Sequence, residues 1–173
     1  MPKRTIKIKR VLGEKRLFIS PYVATPFKVV RQMLILAELK PGEIVYDLGS
    51  GDGRVVIMAA QEFGAKAVGV ELRGDLARRA LNEVMRANLE SEVKIVQDDL
   101  FNIDISAADI VTLYLTTSAN KKIKPKLEAE LKPGARVVSH DYAIPGWKTL
   151  KLDKFCENQN LGYPSHTIYV YKI

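Results

Sequence analysis

The chain has 173 residues, 47% hydrophobic and 27% charged, a length and balance that suit one globular domain with a full core. Its single cysteine, Cys156, excludes an internal disulfide and reads as a small buried hydrophobe; with His140 and His166 it cannot supply a structural zinc site, and no metal is expected. The formal charge is +7, no apolar run approaches the roughly 20 residues that cross a bilayer, and no signal-peptide core follows Met1-Pro2-Lys3-Arg4, so a cytoplasmic protein without membrane contact is expected.

The charge is concentrated at the start of the chain. Lys3, Arg4, Lys7, Lys9, Arg10, Lys15 and Arg16 stand against Glu14 alone, and the remainder is nearly neutral. Residues 1–19 are read as a basic arm. Such an arm attaches to nucleic acid, to anionic lipid or to an acidic protein face, or it is a solvated extension or an edge strand with Ile6 and Ile8 facing inward.

Ser20-Pro21-Tyr22-Val23-Ala24-Thr25-Pro26 is a rigid turn leading into a helix over Phe27–Ala37, with Thr25 as its cap and Pro26 at its first position. Val30, Met33, Leu34 and Ala37 give that helix one apolar face. Leu39-Lys40-Pro41-Gly42 breaks it before a strand ending in Val45-Tyr46-Asp47-Leu48. The same four letters recur at 131–134 before Ala135-Arg136-Val137-Val138-Ser139-His140, which reuses a helix-to-strand connection rather than marking a repeat.

The loop Gly49-Ser50-Gly51-Asp52-Gly53-Arg54 then joins that strand to a helix. Gly49, Gly51 and Gly53 permit positive φ and present no Cβ to a ligand pressed against the backbone. The spacing departs from the Gly-x-Gly-x-x-Gly dinucleotide fingerprint. Lys66–Glu71 is a second strand ending in an acid. Glu71 lies 20 residues after Gly51, the distance at which a carboxylate meets a ribose hydroxyl pair. A glycine cluster alone also fits an ordinary tight turn. Asp47 before it, a strand and a helix around it, and Glu71 after it favour a cofactor turn.

Further along, a helix from about Gly74 to Asn88 has Leu76, Ala80, Val84 and Ala87 on one face, and Val93–Gln97 is a third strand closed by Asp98-Asp99-Leu100-Phe101. Asp109–Leu115 is a fourth strand. A helix near Ala119–Leu131 follows, with Pro125 near its start or at a kink. Residues 135–141 form the fifth strand, followed by a loop through Trp147 rather than a helix. Lys148–Phe155 reads as a strand, Asn160–Pro164 as a turn, and His166–Lys172 as a last, antiparallel strand. Strands alternating with helices predict a mostly parallel α/β sheet of Rossmann-like type, helices on both faces and the motifs on one edge.

Asp47, the glycine loop and Glu71 resemble the cofactor motif of the class I, seven-strand S-adenosylmethionine-dependent methyltransferases. With Pro21-Tyr22-Val23-Ala24-Thr25-Pro26, Val70-Glu71-Leu72, Asp99-Leu100-Phe101 and Pro145-Gly146-Trp147, the pattern over about residues 20–147 is similar to the archaeal protein-lysine methyltransferases and their mitochondrial relatives. The resemblance implies that residues 20–173 form one methyltransferase domain with S-adenosyl-L-methionine as cofactor. It places Gly49, Ser50, Gly51 and Gly53 under the cofactor's amino acid part, with Asp47, Tyr22 and Thr25 beside it. Glu71 and Leu72 fall at the ribose. Asp98 and Asp99 compete for the adenine, with Asp99 and the Leu100 backbone favoured. Leu115-Thr116-Thr117-Ser118 departs from the Asn/Asp-Pro-Pro-Tyr/Phe of many nitrogen methyltransferases, which disfavours an amide or nucleobase acceptor.

Methyl transfer from an activated sulfonium needs alignment and exclusion of water more than a nucleophile or a metal. A lysine amine must first lose its proton, and an apolar channel favours that by desolvating the cation. Tyr114, Tyr142 and Trp147, at or just beyond strand ends, are the candidate walls of that channel; each reads equally as packing. His140-Asp141 is either a base pair of catalytic type or a satisfied structural group, and no base is assigned. The reading is therefore a protein-lysine N-methyltransferase, monomeric, acting on lysines of many proteins and capable of self-methylation. An RNA or small-molecule methyltransferase is the alternative, and a non-enzymatic nucleic-acid-binding protein fits the intact acid set less well.

Overall fold

A computed structural model describes residues 21–156 and 166–173; the basic arm and the turn at 160–164 lie outside the described residues. In chain order the elements are α1 (Phe27–Leu36), β1 (Ile44–Leu48), α2 (Arg54–Phe63), β2 (Lys66–Glu71), α3 (Gly74–Arg86), β3 (Val93–Gln97), β4 (Ile110–Leu113), α4 (Thr117–Glu130), β5 (Arg136–His140), β6 (Lys151–Phe155) and β7 (His166–Lys172). The strands form one seven-stranded sheet in the order β3-β2-β1-β4-β5-β7-β6. β1 to β5 run parallel, and β7 is antiparallel to both β5 and β6. This is the expected α/β sheet, including its antiparallel last strand.

The two-residue period of the strands divides the core. Val45, Ala67, Ile110, Val138, Ile168 and Val170 face one layer with α1 and α2, while Leu48, Val70, Val111, Leu113, Val137 and Tyr171 face the other with α4. Each fully buried Val, Leu or Ile among them contributes about 1.5–3 kcal/mol of hydrophobic stabilisation. A one-residue slip in any strand would exchange the two sets, so the apolar pattern fixes the register. Because the parallel strands share a direction, the C-terminal ends of β1 to β4 lie on one edge. Neighbours there change from β2 to β4 on either side of β1, the crevice where wound sheets take ligands.

Several boundaries differ from the sequence expectation. Helix α1 starts at Phe27 with Pro26 as its N-cap and without a side-chain cap bond; the Thr25 hydroxyl instead lies 3.3 Å from His140 Nδ1. Ala87 falls just past α3 as its C-cap. β4 is confined to 110–113. Before it, the Asp109 carboxylate accepts from Ile44 N at 2.8 Å and pairs with Lys132 at 2.6 Å. Helix α4 begins at Thr117, since Thr116 Oγ1 caps Ala119 N at 3.3 Å, and Pro125 sits in its interior. β6 begins at Lys151, after a loop that binds back to α4.

Candidate active site

β1 delivers Asp47 to the sheet edge, and the chain then folds back on β2: Gly49 N and Ser50 N both donate to Val70 O, at 2.8 and 2.9 Å. Gly49 and Gly51 take φ of 90° and 55°, in the left-handed region that glycine tolerates. A Cβ on Gly51 would stand 2.5 Å from Tyr22 Cε2, so the loop is roofed by the strap 21–25. Arg54 fastens that strap. Its guanidinium donates to Thr25 O at 2.8 Å and to both Asp52 oxygens at 2.9 and 2.7 Å, and it stacks over Phe27. Burial pushes the Asp52 carboxyl up, but Arg54 more than offsets this and holds it below the usual carboxylate range.

Glu71 ties the loop to the second strand. Oε2 accepts from Gly51 N and Oε1 from Arg73 N, both at 2.8 Å. A carboxylate offers about four acceptor sites, so each oxygen keeps one for a ligand hydroxyl. Asp98 Oδ1 accepts from Asp99 N and Asn102 Nδ2, at 2.7 and 3.1 Å, and Asp99 Oδ1 accepts from Phe101 N at 3.0 Å. Both acids therefore shape the turn after β3 and both line the cleft.

Asp47 is 6% exposed and accepts from Thr112 Oγ1 at 2.7 Å. Burial, opposed by that hydrogen bond and reinforced by the charges of Glu71 and Asp52, pushes its carboxyl up to about 7. The Ser50 hydroxyl, packed over Gly69 of β2, is buried without a hydrogen-bond partner. Five carboxylates line the cleft (Asp47, Asp52, Glu71, Asp98, Asp99) against the guanidiniums of Arg54 and Arg73. That surplus favours a cationic ligand and opposes a pyrophosphate. S-adenosylmethionine carries a net positive charge, a ribose diol for Glu71 and an amino acid end small enough to press on the glycine loop; the residues present fit it.

Of the residues expected at the site, Tyr22, Thr25, Asp47, Gly49, Ser50, Gly51, Glu71, Leu72, Asp98, Asp99, Leu100 and Tyr114 line this one cleft. Three do not. Gly53 takes φ 83° as N-cap of α2, and a Cβ there would stand 3.0 Å from that of Ala80, so it serves helix packing. Tyr142 is 40% exposed beside the cleft, its ring 6.4 Å from that of Tyr114. Trp147 lies elsewhere, its Nε1 donating to Glu128 at 2.7 Å and its ring edge-on to Tyr171. The loop after β5 bends over α4 because Asn120 donates to Tyr142 O and Lys124 to Pro145 O, both at 2.9 Å. That carries the indole away.

Sequence reasoning missed the Asp52–Arg54 clasp, whose signal was the pair of opposite charges flanking Gly53. It singled out His140 and Asp141 but missed the polar cluster they form with Tyr114 and His166. Tyr114 OH donates to Asp141 Oδ2 at 3.3 Å, and burial, with the Asp141 charge, pushes the phenol up to about 12. His140 Nε2 lies 2.9 Å from His166 Nδ1, and burial holds the His140 imidazole well below its ordinary value. The histidine is thus neutral and fully enclosed.

Fold and cleft together define a seven-strand methyltransferase using S-adenosylmethionine. The sequence profile of the ANTKMT methyltransferase domain matches residues 47–151. A protein-lysine N-methyltransferase of Saccharolobus islandicus (strain REY15A) is 47% identical over 88% of this chain and 93% of its own length. The adenine nucleotide translocase lysine N-methyltransferase of Mus musculus is 37% identical over 74% of this chain, which spans 56% of that protein. A solved structure described as an RNA methyltransferase from Salinibacter ruber, in complex with S-adenosyl-L-homocysteine, superposes with a TM-score of 0.81 at 41% identity, covering 87% of this chain and 94% of that one. The chain belongs to the ANTKMT methyltransferase family.

Proposed function

We infer that the chain is an S-adenosylmethionine-dependent protein-lysine N-methyltransferase of broad substrate range, its own exposed lysines included. The observation that carries the lysine acceptor is the 47% identity with a protein-lysine N-methyltransferase across nearly the whole of both chains. The geometry agrees. Residues 115–118 read Leu-Thr-Thr-Ser, and Thr116 is spent on capping α4, which leaves no polar clamp for a planar amide or base. Tyr114 on the cleft wall and Tyr142 beside it present stacked rings suited to an alkyl stem and a cationic product.

The cofactor supplies a methyl group already activated on a sulfonium. Asp47 receives its ammonium end over Gly49, Ser50 and Gly51, under Tyr22 and Thr25. Glu71 holds the ribose with Leu72 packed alongside, and Asp99, with Asp98 and the Leu100 backbone, meets the adenine. Desolvation against the tyrosine rings would favour the neutral amine and point its lone pair at the methyl group the cofactor would supply. Residues 20–173 act as one domain, a monomer, and residues 1–19 as an arm that draws acidic partners or nucleic acid to it. Among the described residues no helix is long and apolar enough to cross a membrane.

Incubation with labelled cofactor and a cell extract, followed by protease or nuclease, tests the reading. Label released by protease supports it. Label released by nuclease would favour an RNA acceptor, the activity in the description of the Salinibacter ruber protein.

A further inference from the structure

The ends of β5 and β7 meet beside the cleft, and there His140, Asp141 and His166 turn their polar atoms to one point. We propose that His140 Nε2, His166 Nδ1 and Asp141 Oδ2 form a binding site for a divalent transition-metal ion of the zinc class.

Geometry is the first argument. The three atoms are separated by 2.9, 3.3 and 3.6 Å. Ligands bound tetrahedrally at about 2.0–2.1 Å stand about 3.3 Å apart, and the three separations average to that value. They are already one face of a coordination tetrahedron. The fourth position is left for water or for the Tyr114 phenol, whose oxygen lies 3.3 Å from Asp141 Oδ2. Two imidazoles and a carboxylate suit zinc, and cobalt as its spectroscopic substitute, better than calcium or magnesium.

The surroundings hold the three groups as ligand supports do. His140 has no exposed surface, and its other ring nitrogen is fixed by Thr25 Oγ1 at 3.3 Å. With that nitrogen donating, Nε2 presents its lone pair inward. Asp141 adopts φ 61°, a left-handed backbone unusual for a residue with a side chain. Thr167 locks it there: Asp141 N donates to Thr167 O at 2.7 Å and Asp141 Oδ1 accepts from Thr167 N at 2.9 Å. That leaves Oδ2 facing the histidines. Asp141 and His166 are partly exposed, which gives an ion a way in. On binding, the hydrogen bond between the two rings is given up, and each ring turns a nitrogen to the ion.

The site rests on these residues and not on the identity of the methyl acceptor. A bound ion would clamp β5 to β7 and, through Asp141, fix Tyr114 on the cleft wall. The test uses the full chain, freed of metal by chelator and titrated with cobalt while visible absorption is followed, then with zinc in competition. The expected result is one equivalent bound with the intense bands of a tetrahedral ion, displacement by zinc, and a higher melting temperature with zinc. His166→Gln and Asp141→Asn, each checked for a native melting transition, should weaken binding at least about tenfold. Lack of saturable binding up to millimolar metal, or titrations unchanged in both folded variants, would overturn the site in favour of a hydrogen-bonded network only.

Discussion

The carboxyl of Asp47 is where stability and function pull against each other. Burial holds it in the folded chain at about 7, against 3.8 when unperturbed. A raised acid binds its proton more tightly in the folded state, so its share of stability is full below pH 4 and is lost as pH climbs towards 7. Three pH units at 1.36 kcal/mol each make the cost about 4 kcal/mol at pH 8. Asp47→Asn removes the charge and keeps an oxygen to accept from Thr112 Oγ1, now at 2.7 Å. The variant should match the parent near pH 3 and exceed it at pH 8 by up to about 4 kcal/mol, equivalent to roughly 8–16 °C in melting temperature. Its affinity for S-adenosylmethionine should fall, because the charge facing the cofactor's ammonium is gone. In the parent, affinity should weaken below pH 7 by up to about tenfold per unit as Asp47 takes up a proton. Denaturant unfolding at the two pH values and calorimetry check this. An Asn variant less stable than the parent at pH 8, or a difference equal at both pH values, would refute the reasoning.

Glu71→Ala should weaken cofactor binding by about 1.5–3 kcal/mol through lost charged hydrogen bonds, and unchanged affinity by calorimetry would remove Glu71 from the site. Gly51→Ala places a Cβ 2.5 Å from Tyr22 at φ 55°, so affinity should drop about tenfold, and Tyr22→Ala in the same chain should restore part of it. If Tyr22→Ala restores nothing, the roof is not the cause. Deleting residues 1–16 should spare cofactor binding and reduce salt-sensitive affinity for anionic partners; a truncated chain that no longer folds would make the arm a structural strand.

What was legible in the sequence was what is local. The path from Asp47 through the glycines to Glu71 is a contiguous βαβ unit, and the 20-residue spacing read as a ribose contact also brings Glu71 to Gly51 N. The strand pattern was equally readable because each face alternates by one residue. Contacts between distant segments were not. Thr25 looked like a helix cap, but β5 brings a histidine 115 residues away to its hydroxyl. His140 and His166 lie 26 residues apart, and only the antiparallel β5–β7 pairing sets them ring against ring. Trp147, just beyond a strand end, reads equally as a channel wall or as packing; the carbonyls of its loop are bound by α4, which no spacing reveals. Gly53 shared the cofactor pattern while its freedom serves packing against Ala80.

The lysine acceptor is tested most directly on a panel of purified proteins with and without prior chemical acetylation of their lysines. The panel is incubated with enzyme and S-adenosylmethionine and mapped by tandem mass spectrometry, beside a nucleic-acid fraction assayed for label. The account predicts methyl increments on lysine side chains of several unrelated proteins and of the enzyme itself, all lost on acetylation. Methyl groups confined to the nucleic-acid fraction, or undiminished on acetylated proteins, would contradict it.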